Sequence, residues 1–213
     1  MSFMRKVVKH ITNKIYNIFY FIKNILIPYQ YPKNQNGEIF IHLGCGEINS
    51  KEFINVDSRF FPHIHHISQV QKLPFFPDNY ADLIYTSHTL EHIQMLDIKD
   101  VLVEWKRVLK PGGILRISVP DFDKILTVYT SNDNSIEVIW KPLMGGQEYK
   151  ENSHYSVFNY NYLEKMLIGS GFQEIRNWDP AKVKNHNFDD WSSSYLEIND
   201  VKYPISLNIE AIK

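Results

Sequence analysis

Two periodicities divide the chain. In residues 1–28, Met4, Val8, Ile11, Ile15, Ile18, Ile22 and Ile25 recur at alternating spacings of four and three, which predicts one apolar stripe along a helix ending before Pro28. Phe19, Phe21 and Leu26 widen that stripe, while Lys6, Lys9, Lys14 and Lys23 interrupt it. The unbroken apolar runs fall far short of the roughly 20 residues a spanning helix needs. After residues 29–37, YQYPKNQNG, which read as a linker, the pattern becomes short apolar runs closed by polar residues. Strands are predicted from Ile39, at Phe53–Asp57, Ile64–Ile67, Ala81–Thr86 and Gly113–Val119, with a last one at Ile205–Lys213. Helical spacing lies between them: Asp97 reads as the N-cap of a helix over Ile98–Leu109, which the turn Lys110-Pro111-Gly112-Gly113 stops. Strands alternating with helices predict an α/β fold with an open, mostly parallel sheet and a ligand site at the carboxyl ends of its strands.

The first strand runs directly into Gly44-Cys45-Gly46, and Asp57 follows eleven residues after Gly46. Glycines let a backbone approach a ligand, and a carboxylate can accept hydrogen bonds from both hydroxyls of a ribose. A dinucleotide site has three glycines opening a full helix and an acid about 20 residues on, so the pyrophosphate cradle is missing here. A nucleoside cofactor without phosphates, S-adenosylmethionine foremost, fits better. The stretch from Gly46 to Phe53 is too short for a crossover helix, so an abbreviated turn is expected there.

Charge sharpens the division between the two parts. Residues 1–36 carry six Lys/Arg and no acid, while the rest carries 17 basic and 24 acidic residues within a net charge of −1. An acidic body argues against a nucleic-acid partner. The basic amphipathic segment, residues 3–27, has two open roles: packing on the domain or on a second copy as a homodimer, and peripheral contact with an anionic membrane surface. A single cysteine, Cys45, rules out an internal disulfide framework. With no cleavable signal visible, the expectation is a cytoplasmic protein, including a place at the inner face of the cell membrane.

The segments LPFFPDNYADLIYTSHTLEHI (73–93) and VLVEWKRVLKPGGILRISVPDF (101–122) resemble the Rossmann-like, class I S-adenosylmethionine-dependent methyltransferases, with Leu-Glu-His and Arg-Val-Leu-Lys-Pro-Gly-Gly as the most specific elements. The later segments, with MGGQEY (144–149), SGF (170–172), DDWSS (189–193) and the final ISLNIEAIK (205–213), resemble methyltransferases of bacterial surface-polysaccharide biosynthesis, of capsule and lipopolysaccharide. The resemblance implies a seven-stranded sheet with helices on both faces and an antiparallel last strand. It also implies a methyltransferase domain over 38–213, divided into a cofactor-binding half (38–122), an acceptor-side half (123–204) and the final strand (205–213). It places Gly44, Cys45 and Gly46 beneath the methionine part of S-adenosylmethionine, Asp57 on the ribose, Gln69 and Val70 at the adenine, and Thr86 and Ser87 beside the sulfonium. The family often has Asp where Gln69 stands, and a glutamine can still accept through its amide oxygen.

Methyl transfer from an activated sulfonium requires alignment and, for a hydroxyl acceptor, removal of a proton. His88, just past the fourth strand, is the first candidate base, against a role as a hydrogen-bonded helix-start residue. Asp121 after the fifth strand divides evenly between facing the same cleft and capping the next helix, and His154 between a second-side base and a surface-loop residue. Glu91 and His92 read as braces of the cofactor loop. His63, His65 and His66 lack a nearby carboxylate to complete a coordination set, so no metal site is expected. Asp189, Asp190 and Trp191 suit a loop covering a polar ring such as a sugar.

The sequence therefore predicts a methyltransferase acting on a small or glycan-linked acceptor at oxygen. The leading acceptor is a sugar hydroxyl, with an oxygen of a phosphoramidate modification as a further form. A membrane lipid or quinone acceptor and a non-catalytic cofactor-binding scaffold are the alternatives.

Overall fold

The computed structural model describes residues 31–213 apart from 33 and 35, so the expected N-terminal helix lies outside the described residues. Nine strands form among the described residues: β1 (Phe40–Leu43), β2 (Phe53–Asp57), β3 (His66–Ile67), β4 (Ala81–Ser87), β5 (Leu109–Pro120), β6 (Gln173–Asn177), β7 (Tyr195–Ile198), β8 (Val201–Pro204) and β9 (Ser206–Ile212). Seven of them make one sheet in the order β3-β2-β1-β4-β5-β9-β6. β1 to β5 pair in parallel, and β9 runs antiparallel to both β5 and β6. Helices α1 (Ile98–Val108), α2 (Phe122–Ser131), α3 (Trp140–Met144) and α4 (Tyr160–Gly169) complete the described elements, together with short 3-10 turns at Leu90–His92, Lys150–Asn152 and Trp191–Ser193.

The apolar runs explain the sheet. Alternate residues of β1, β4 and β5 point to opposite faces. Ile41, Leu43, Ile84, Leu115 and Ile117 enter one core beneath Leu102 and Trp105 of α1 and Leu163 and Leu167 of α4. Phe40, Leu83 and Tyr85 enter a second core with Phe53 and Trp178. The expected sheet, with its antiparallel last strand, is the one observed. The turn between β1 and β2 has no helix, in keeping with its length.

Three local expectations need correction. Asp97 makes no side-chain cap; its carbonyl accepts from the Val101 amide at 3.1 Å instead. The Lys110–Gly113 segment does not separate helix from strand. The residue before a proline disfavours helix, and β5 begins at Leu109, paired with Ala81 across a register shift, with Gly112 at φ +77°. β3 spans only two residues because Ile64 folds back in a turn, its amide donating to the Phe61 carbonyl. The β7–β8 hairpin, absent from the sequence reading, turns through Asn199 and Asp200 at φ +51° and +63° and packs Leu196 and Ile198 near α2.

The second face also holds a buried imidazole. His42 is 1% exposed and lies 4.9 Å from the Tyr85 ring and 5.6 Å from that of Phe188. Burial pulls its pKa down to about 3, with the Asp190 charge opposing. The unfolded chain therefore binds a proton on this residue below about pH 6.5 that the folded chain refuses, so its contribution to stability is present above that pH and is lost on acidification towards 3. A His42→Phe variant, which keeps a ring in the cluster, is expected to flatten the slope of unfolding free energy between about pH 4 and 6 by roughly 1.4 kcal/mol per pH unit. Urea titrations across that range measure the slope.

Candidate active site

The carboxyl ends of β1, β2, β4 and β5 lie together along the sheet, as the pairing of Leu43 with both Val56 and Thr86 and of Ser87 with Ser118 requires. At the end of β1, Gly44 and Gly46 take left-handed φ of +67° and +55°. A Cβ on Gly44 would stand 2.2 Å from Thr89 Oγ1, so only glycine lets the turn touch the segment after β4. The Gly44 and Cys45 amides both donate to the Val56 carbonyl, at 2.8 and 3.3 Å. Cys45 is buried, and burial pushes its thiol far up, which makes it a packing residue rather than a nucleophile.

Asp57 closes β2 and fixes the turn. One carboxylate oxygen accepts from the Gly46 amide at 2.8 Å, and the other from the Arg59 amide at 2.7 Å with the Arg59 Nε at 3.4 Å. An ionised carboxylate offers about four lone-pair directions, so acceptor capacity remains for a ribose. Arg59, which sequence reasoning passed over, lies across the glycine turn, 3.2 Å from where a Gly46 Cβ would be. It also donates to the Tyr149 hydroxyl at 3.2 Å. Gln69 is exposed, whereas Val70 is buried, and its carbonyl accepts from the Trp105 indole at 2.8 Å. Thr86 is fully buried with its hydroxyl unpartnered, and Ser87 is 8% exposed.

Beyond β4 the chain turns sharply at His88, φ +48°, into the Leu90–His92 turn. His88 Nε2 lies 2.9 Å from Ser206 Oγ, and that hydroxyl donates to the Trp191 carbonyl at 2.6 Å. Nε2 therefore carries the ring proton, and the bare Nδ1 faces Glu91 Oε1 at 3.4 Å. Burial draws the His88 pKa down to about 3, with the Asp190 charge opposing, so the ring is neutral and a weak base. Glu91 is 1% exposed, neither of its carboxylate oxygens accepts a hydrogen bond, and burial pushes its pKa up to about 8.

His154 joins this group from a distant loop. The Tyr155 and Ser156 amides donate to the Glu91 carbonyl at 2.8 and 3.1 Å, which brings His154 Nε2 to 3.9 Å from Glu91 Oε1. Gly145 permits the approach: at φ +76°, its missing Cβ would lie 2.2 Å from the Asn152 carbonyl oxygen. Two of the three candidate catalytic residues, His88 and His154, thus flank Glu91. The third, Asp121, is a helix cap, one oxygen accepting from the Asp123 amide at 3.2 Å and the other 3.6 Å from Lys124 Nζ.

Asp190, expected to face an acceptor, turns its carboxylate inward, with the side chain 3% exposed: it accepts from the Tyr85 hydroxyl and from the Ser192 amide at 2.9 Å. Trp191 remains 63% exposed, with its ring 5.9 Å from that of His88. The His63–His66 run disperses to separate partners: His63 to the Gly46 carbonyl, His65 to the Asn55 amide and His66 to the Tyr31 hydroxyl.

Residues 44–117 match the methyltransferase domain family. Solved structures share the fold at low identity. A methyltransferase dependent on S-adenosylmethionine from Thermotoga maritima is 17% identical with a TM-score of 0.50, covering 89% of this chain and 85% of its own. One from Archaeoglobus fulgidus is 16% identical with a TM-score of 0.52, covering 92% and 94%. The Burkholderia thailandensis 1,6-didemethyltoxoflavin-N1-methyltransferase, solved with S-adenosylhomocysteine, is 14% identical with a TM-score of 0.51, covering 83% and 71%. The seven-stranded sheet is the fold these solved structures share, and the match to the methyltransferase domain runs from the glycine turn after β1 up to Ile117 in β5.

Among curated proteins, the ubiquinone/menaquinone biosynthesis C-methyltransferase UbiE of Vibrio vulnificus is 35% identical over 98 residues. That match covers 41% of this chain and 36% of the relative, so the chain spans little more than a third of the curated relatives it matches. No helix among the described residues is long and apolar enough to cross a membrane.

Proposed function

We propose that the chain transfers the methyl group of S-adenosylmethionine to an oxygen of a small hydroxylated acceptor, with a sugar or sugar-linked group of surface-polysaccharide biosynthesis as the leading class. The observation that carries this reading is Glu91, a buried carboxylate without a hydrogen bond, set among His88, His92 and His154 one turn past β4. A hydroxyl must lose its proton as it attacks, and a group of proton-accepting atoms next to the cofactor turn serves that step. The exposed Trp191 ring beside His88 supplies a flat apolar wall of the kind that packs against a sugar.

Methylation of a quinone is the second reading, and the 35% identity to the Vibrio vulnificus C-methyltransferase favours it. The deciding experiment supplies methyl-labelled S-adenosylmethionine with nucleotide-activated sugars, sugar phosphates and prenylated quinols, and identifies products by mass. Label on a sugar oxygen is the expected result. Label on a quinol ring carbon would replace the first reading with the second. Binding of S-adenosylhomocysteine without transfer to any acceptor would favour a cofactor-binding scaffold.

A further inference from the structure

The surroundings of Glu91 are rich in acceptor atoms and poor in donors. Both of its oxygens lack a hydrogen-bond partner, and the bare Nδ1 of His88 points at one of them. His92 Nδ1 lies 3.0 Å from the Ser153 carbonyl, which can only accept, so Nδ1 carries the proton and Nε2 presents a lone pair. The backbone of Pro142 and Leu143 lies beside the His154 ring, whose Nε2 faces Glu91 at 3.9 Å. One ligand atom from each of Glu91, His92 and His154 lies within 4.8 Å of the other two. Lone pairs converging on a buried carboxyl group are satisfied either by a proton on Glu91 shared with His88 or by a cation among them. A ring nitrogen whose partner N–H is fixed by a backbone carbonyl is the usual arrangement of a metal-bound histidine.

We propose that Glu91, His92 and His154 bind a divalent first-row transition-metal ion, with positions left open for the acceptor's oxygen. Bonds of about 2.1 Å place two ligands on one ion up to roughly 4 Å apart, so the Glu91–His154 separation already fits and the widest one closes by small side-chain rotation. Two imidazoles with one carboxylate select zinc, iron, cobalt or manganese over magnesium or calcium. The expectation of no metal considered only the His63–His66 run; this set is assembled from two segments some sixty residues apart. Thr89 touches Gly44, so the set adjoins the cofactor turn, and His154 also lines a small depression bounded by Phe122, Pro142 and Leu143.

The role of the ion in catalysis rests on the methyl-transfer reading. With Glu91, His92 and His154 holding an ion, they would no longer take the proton themselves: the ion would lower the pKa of an acceptor hydroxyl beside it, and that proton would pass to solvent water. The resulting oxygen anion forms a bond to the methyl carbon. The carbon–sulfur bond breaks with its electron pair staying on sulfur, giving the methyl ether and S-adenosylhomocysteine.

The test is titration of the full chain with Co²⁺, followed by its visible absorption, for the wild type, Glu91→Gln and His154→Ala, with circular dichroism to check folding. Glu91→Gln keeps the volume of the core residue, and His154→Ala alters a loop. A nitrogen-ligated cobalt spectrum in the wild type, with affinity falling roughly tenfold or more in either folded variant, is the expected result. Absence of binding by the folded wild type, or equal affinity in all three chains, would overturn the proposal. S-adenosylhomocysteine is titrated in parallel: if it binds and Co²⁺ does not, the metal site alone fails, whereas Co²⁺ binding without S-adenosylhomocysteine binding retains the site and removes the methyl-transfer role.

Discussion

Asp57→Ala is expected to weaken S-adenosylhomocysteine binding by at least about a hundredfold, read by calorimetry, while the domain stays folded. Hydrogen bonds to a charged group contribute about 1.5–3 kcal/mol each, and a ribose that takes the open acceptor direction and displaces the long Arg59 Nε contact at 3.4 Å supplies two of them. Every 1.4 kcal/mol is tenfold in affinity. The substitution also frees the Gly46 and Arg59 amides that the carboxylate holds at 2.8 and 2.7 Å, which loosens the turn under the cofactor. Asp57→Asn rescues little, because its amide nitrogen would meet one of those two N–H groups donor to donor. An unchanged affinity in Asp57→Ala would remove Asp57 from the cofactor site.

The second large effect is on stability. Trp105 of α1 is fully buried, and its indole N–H donates to the Val70 carbonyl. Trp105→Ala is expected to destabilise the fold by about 3–5 kcal/mol through the cavity it leaves, measured by urea unfolding. Trp105→Phe fills most of that space and leaves the Val70 carbonyl unpartnered, a loss of about 1–3 kcal/mol. Because Val70 stands where the resemblance places adenine, the Phe variant also separates packing from cofactor positioning: a fall in S-adenosylhomocysteine affinity without unfolding would show that the indole positions this segment.

The parts legible in the sequence share one property: their signal is local. β1, β2, β4 and the Leu115–Pro120 part of β5 are buried on both faces, and the glycine turn with its acid lies within a span of fourteen residues, 44–57. The β7–β8 hairpin escaped because its turn is Asn-Asp and not Asn-Gly, and its strands are half exposed. Asp190 looked available until the fold brought Tyr85 to it across 105 positions. Glu91 and His92 were visible as a pair, but the approach of His154 depends on Gly145 and on two amides reaching the Glu91 carbonyl, contacts that no spacing rule encodes.

The helix-free turn between β1 and β2 has a kinetic consequence. Phe40 pairs with Phe53, only 13 residues on, whereas Ile114 of β5 must find Ile212, 98 residues away. Loop-closure entropy grows with the logarithm of that separation, so the first pairing is favoured over the second by about 2 kcal/mol before any side chain packs. Parallel strands are ordinarily slow to meet because a crossover element must fold between them. Here the two strands carrying the glycine turn and Asp57 can zip together first, giving the cofactor end of the sheet a nucleus that forms without waiting for the distant C-terminal strand.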